Sequence, residues 1–177
     1  MGYIYNNEDF FATEGSVLML WKFARRCLFV GLAVVLVLTS CEGDGFAKAD
    51  DKFSGAVSGY GGKSIIYKSS SGMDAPRELT VLFGRDGNAP DELSLIDYAL
   101  VWLSERSLGG DATVFHAINA TDTSSIVKMC ERRARTLRYS AGIKAEIYVS
   151  GHFVVFVNCS GEYAGIKEDL VREFELE

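Results

Sequence analysis

Histidine is nearly absent from this chain: His116 and His152 are the only two in 177 residues. Neither has Asp, Glu or Cys near it at metal-ligand spacing, so each reads as an ordinary strand or turn residue and no metal site is expected. A basic surplus is missing as well, with 18 Lys plus Arg against 24 Asp plus Glu and a net charge of −6. Nucleic-acid binding requires excess positive charge to neutralise phosphates, which sets that class aside. No Gly-x-Ser-x-Gly elbow occurs, and a cysteine nucleophile at Cys130 or Cys159 would need a histidine beside it in space. Gly62-Lys63-Ser64 ends like a phosphate-binding loop, yet Val57 stands where that motif requires glycine, so no cofactor is expected. The carboxylate pairs Asp91-Glu92 and Glu168-Asp169 are sequence neighbours, which point apart on a helix or strand and do not converge on one substrate. Asn119-Ala-Thr121 and Asn158-Cys-Ser160 match the glycosylation pattern only incidentally. No catalytic residue can be named.

What the chain does contain is a leader. Lys22-Phe-Ala-Arg-Arg26 is a basic segment, Cys27 to Leu38 is an apolar run of about 12 residues, and small residues follow at Leu38-Thr39-Ser40-Cys41. A membrane span needs roughly 20 apolar residues, so the run is read as a secretory signal. Leu-Thr-Ser-Cys resembles a bacterial lipobox. That resemblance implies cleavage before Cys41, acylation of its sulfur and attachment to the bilayer through that residue. Residues 1–18 carry Glu8, Asp9 and Glu14 ahead of the basic segment, whereas Met19 opens a conventional one; they are expected to be an over-extended start, with the signal at 19–40. Met1-Gly2 opens a myristoylation pattern, but position 6 is Asn6.

Three basic and three acidic residues precede Cys41, so residues 41–177 keep the net charge of −6. Cys27 falls within the signal and Cys41 is assigned to lipid, which leaves Cys130 and Cys159 as the only pair for a disulfide. Both sit among apolar neighbours at helix or strand spacing, and two free thiols are expected. Residues 41–62, rich in Gly, Ser, Asp and Lys, read as a flexible tether. Residues 63–177 then suffice for a single domain.

Within that domain Asp74 to Gly84 predicts a short helix capped by Asp74 and stopped by a left-handed Gly84, against a competing strand at Leu79 to Phe83. Leu93 to Leu103 fits either period, and its aromatic and β-branched content favours a strand near Asp97 to Ser104. Ala112 to Ile118 is a second strand, and Thr121-Asp-Thr-Ser caps a helix through Tyr139 with Ile126, Val127, Cys130, Ala134 and Leu137 on its apolar side. Ala145 to Val149 and Phe153 to Val157 flank Ser150-Gly151-His152, a connection short enough to force a hairpin. Glu162 to Glu175 closes the chain as a helix with Tyr163, Ile166, Leu170 and Phe174 on one face. The prediction is an α+β fold: an antiparallel sheet of about four strands with helices on one face, in the order α-β-β-α-β-β-α.

One helical residue stands apart. Lys128, Arg132, Arg135 and Arg138 lie opposite the apolar stripe, whereas Arg133 falls at its edge. Either it forms a structural pair with a carboxylate such as Asp97 or Glu146, or its planar fork meets an anionic ligand in a cleft between helix and sheet.

Asp97 to Ser104, Asp111 to Ala117, the helix with Arg132-Arg133 and Ile147 to Phe156 together resemble an uncharacterised lipoprotein family of clostridia-type Firmicutes, a domain of unknown function. The likeness spans residues 74–175. It implies no activity, cofactor or catalytic residue. The sequence therefore points to a lipoprotein on the extracytoplasmic face of the cell membrane, anchored through Cys41 and serving as a non-catalytic binding or interaction module. Its partner would be an envelope protein or small ligand. The alternative is a surface-exposed hydrolase whose site the sequence does not group.

Overall fold

Ile96–Leu103 and Phe153–Cys159 are apolar at nearly every position, and a strand without a polar side must be covered on both faces. The computed structural model describes residues 45–71, 74–105 and 110–176, and in it both faces of the sheet are covered. The expected start at 1–18, the signal at 19–40 and Cys41 lie outside the described residues. Phe46 to Glu177 forms one compact unit.

The unit is α+β, built on five antiparallel strands: β1 (Lys63–Lys68), β2 (Ile96–Leu103), β3 (Gly110–Ala117), β4 (Glu146–Ser150) and β5 (Phe153–Cys159). Their spatial order is β1-β2-β3-β5-β4. Four strands match those expected from the sequence. The additional one, β1, pairs Lys63 with Leu103 and Lys68 with Tyr98. Gly62-Lys63-Ser64 thus leads into an edge strand, where Lys63 pairs with Glu78 at 2.6 Å.

The helices are α1 (residues 45–57), α2 (Arg77–Phe83), α3 (Thr123–Ala141) and α4 (Gly165–Glu173). They divide between the two faces instead of sharing one. Tyr98, Leu100, Trp102, Val114, Val155 and Val157 meet α1 and α4, while Ala99, Val101, Phe115, Val154 and Phe156 meet α2 and α3. Alternation along each strand does the sorting, because successive side chains emerge on opposite faces.

The tether expected at residues 41–62 is corrected by α1, which folds onto the sheet. Phe46, Ala49, Phe53, Ala56 and Val57 recur at helical spacing, and the last four are buried. Two alanines, Ala49 and Ala56, and an intervening run of charges hide that stripe from a compositional reading. Burying Phe53 alone is worth about 1.5–3 kcal/mol, enough to order a short helix that propensity would not hold.

Capping also departs from expectation. Asp74 does not cap α2; Pro76 occupies that place, and Gly84 stops the helix in an extended conformation, φ −72°. The left-handed stop belongs to α3, where Gly142 at φ 68° donates to the Arg138 carbonyl. Gly151 has φ 57° at the first position of the two-residue β4–β5 loop, as the short connection requires.

Candidate functional site

Asp111 opens β3 on the face that α3 covers, and register puts Asn158 of β5 directly beside it. The first-choice partners for Arg133 on sequence grounds are otherwise engaged: Asp97 stands 3.5 Å from His116, and Glu146 binds Lys167 and Tyr148. Arg133 instead reaches Asp111 at 2.5 Å and donates a second hydrogen bond, at 2.7 Å, to the Leu82 carbonyl at the end of α2. Its guanidinium lies between the rings of Phe83 and Phe156, 5.3 and 5.5 Å from their centres. One side chain therefore ties α2, α3 and β3 together. Burial raises the Asp111 carboxyl above its ordinary pKa; the Arg133 charge and the hydrogen bonds that Oδ1 accepts from Arg133 and Asn158 oppose the rise, and Oδ2 has no hydrogen-bond partner among the described residues. These contacts favour the structural reading of Arg133 over the ligand-binding one.

Beside that tie, the space between α2 and α3 opens as a cavity of about 330 Å³ lined by the apolar Val81, Leu82, Phe83 and Leu137 and by Arg85, Arg132, Arg133 and Thr136. A neighbouring cleft of about 590 Å³ shares Phe83, Arg85 and Arg132 and runs along Asn88 to Glu92. Its wall is a tight turn in which Arg85 and Asn88 exchange backbone hydrogen bonds, with Asp86 at φ 53° and Gly87 at φ 80°. Arg132 is held over both spaces by Glu92 at 2.7 Å.

The histidines, far apart in sequence, meet at the other end of the sheet. Their rings stack 5.5 Å apart, His116 stacks on Tyr98 at 4.6 Å, and His152 faces the Ala117 carbonyl at 3.0 Å. Burial lowers the His116 pKa, partly opposed by Asp97. Among the described residues no three His, Cys, Asp or Glu side chains converge as a metal site.

The two thiols are free and lie on opposite faces, Cys130 against α3's side of the sheet and Cys159 against the other. Burial pushes Cys159 up to about 12 and Cys130 higher still, so neither is a ready thiolate at neutral pH. Of the adjacent carboxylates, Glu92 holds Arg132 while Asp169 accepts from Tyr60 and pairs with Arg172. Asn158 is buried and engaged with Asp111, which leaves no room for a glycan there. No helix among the described residues is long and apolar enough to cross a membrane.

No family model, curated protein or solved structure matches the chain.

What sequence reasoning missed is the α2–α3 surface. Its parts were visible separately: the basic side of α3, and the Asp86-Gly87 turn that presents Arg85. Their meeting depends on the packing of α2 on α3, which no local pattern encodes.

Proposed function

We propose that this chain is a lipoprotein held at the extracytoplasmic face of the cell membrane through acylated Cys41, and that its folded unit is a non-catalytic interaction module. The observation carrying the anchor is the order of basic segment, short apolar run and Leu38-Thr39-Ser40-Cys41. The likeness of residues 74–175 to lipoproteins of clostridia-type bacteria belongs to the same proposal. Support for an interaction module comes from the distribution of charge. The segment from Cys41 onward is acidic, whereas the exposed side of α3 carries Lys128, Arg132, Arg135 and Arg138 against Glu131 alone. A basic surface on an acidic domain is a docking feature, and acid–base chemistry would instead need ionisable groups converging in a pocket.

Labelled palmitate tests the anchor. It enters the wild-type chain, which then partitions into detergent, and it does not enter Cys41→Ser. Equal labelling of Cys41→Ser would remove the reading.

A further inference from the structure

The sheet ends in two edge strands of different chemistry. β1 begins and ends in lysine, at Lys63 and Lys68, whereas the one charge of β4 is Glu146, held by Lys167 and Tyr148. Edge lysines guard against pairing with another chain, and two copies of β1 laid antiparallel over their full length would set Lys63 against Lys68. β4 has no such guard.

The hairpin decides which backbone groups β4 leaves open. Only Gly151 and His152 separate Ser150 from Phe153, so Ser150 and Phe153 form the hydrogen-bonded pair that closes the turn. Hydrogen-bonded and non-hydrogen-bonded pairs alternate along an antiparallel ladder, and this register runs without a bulge to Glu146 and Val157. Tyr148 and Glu146 therefore bond β5, and the N–H and C=O groups of Ile147 and Val149 face away from it. Among the described residues these outward groups have no other backbone partner. Val149 is 46% exposed, and Ile147, on the same face of the sheet, is half-buried.

We propose that β4 pairs antiparallel with β4 of a second copy of this chain, about a two-fold axis at Tyr148. This register overlaps the whole strand while joining outward-facing groups to outward-facing groups, for up to about four backbone hydrogen bonds. Ile147 meets the partner's Val149 and covers the exposed valine. Tyr148 meets the partner's Tyr148 as an aromatic cross-strand pair, and Glu146 meets the partner's Ser150, so no like charges oppose each other within β4. One patch meets itself, so the contact closes at two copies and joins two five-stranded sheets into one. A five-residue edge is short, which makes the dimer weak and dissociable on dilution. The pairing gives the interaction module proposed above a partner, and it does not depend on Cys41.

Disulfide trapping tests it, with the full chain in detergent oxidised by copper phenanthroline and run on a non-reducing gel beside the wild type. Facing residues of a non-hydrogen-bonded pair have Cα atoms about 4.5 Å apart, within disulfide range, so Tyr148→Cys is trapped as a dimer that reductant releases. Ser150→Cys is not trapped, because its two copies lie four residues apart along the ladder, about 13 Å. Val149→Pro removes only an outward-facing N–H and Val149→Lys adds an edge charge; each lowers the trapped fraction of Tyr148→Cys roughly tenfold with unchanged circular dichroism. Absence of trapping in Tyr148→Cys overturns the proposal, as does trapping that survives both Val149 variants or that is equal in Ser150→Cys. Sedimentation of the wild type shows monomer and dimer alone; a series that grows past the dimer sets β4 against β1 of the next copy and overturns the closed pair. Cys41→Ser leaves the trapping by Tyr148→Cys unchanged, so failure of the anchor and failure of the pairing are told apart.

Discussion

Replacing Arg133 by Ala strips a buried carboxylate of its cation. The two side chains are 12% and 5% exposed, and Asp111 would keep only the longer hydrogen bond from Asn158, at 3.3 Å. Breaking a buried pair from one side costs about 3–5 kcal/mol, and the Leu82 carbonyl also loses its donor. With roughly 130 residues in the unit and an unfolding entropy of about 2.1 cal/mol/K per residue, a loss of about 4 kcal/mol lowers Tm by roughly 14 °C. Arg135→Ala, which removes an exposed pair one turn apart, should cost under about 0.5 kcal/mol. The double replacement Arg133→Met with Asp111→Leu leaves neither charge buried and should recover most of the loss, to within about 1–2 kcal/mol of wild type. Thermal unfolding of the four proteins followed by circular dichroism decides the matter. If Arg133→Ala unfolds no earlier than Arg135→Ala, or if the double variant loses the sum of its parts, the pair is not the tie described here. Asp111 adds a pH signature of opposite sign to that of an ordinary salt-bridged carboxylate. Its folded pKa is raised, so its contribution favours the folded state at acid pH and is lost as pH rises through the folded value.

Gly151→Val places a β-branched side chain at φ 57° with open space around it, so the cost is conformational: a loss of about 1 kcal/mol or more, read as a lower denaturation midpoint with unchanged slope. An unchanged midpoint would mean the β4–β5 loop is not where it is placed. His116 has a folded pKa below that of the unfolded chain, near about 6.5, so its share of stability is complete above that value and declines as pH falls below it. His116→Phe keeps the stack on Tyr98 and should flatten the fall in Tm between about pH 7.5 and 5.5; an unaltered slope would assign the effect to other groups. Cys130 and Cys159 should resist alkylation in the native protein, react fully once it is unfolded, and give the same mobility with and without reductant. A shift on reduction would contradict their placement on opposite faces.

Patterns that act over a few residues were legible from the sequence. The α+β class, four of the five strands, the α3 stripe, the α4 face and the glycine at the two-residue turn follow from side-chain period and turn chemistry, both local. The solid apolar run of β2 also announced cover on both faces, a signal overridden by the expectation of a one-sided sheet. Helix α1 was lost because Ala49 and Ala56 gave its stripe little hydrophobic weight beside Lys48, Asp50, Asp51 and Lys52. Strand β1 was lost because Ile65, Ile66 and Tyr67 are too few to show a period. Helical phase sets Arg133 apart from its basic neighbours, but phase fixes only the direction a side chain leaves its helix.

By itself, then, the sequence determined the order and type of most elements, because such signals are written in contiguous residues. Tertiary structure alone decided that Arg133 meets Asp111 and not Asp97 or Glu146, that the two histidines stack, that the thiols are parted by the sheet, and that Arg85 and Val81 join α3 in one surface. Each of these depends on strand register and on which face a helix covers. Those are settled by burying the most apolar area across the whole unit, a sum over distant residues that no local window contains.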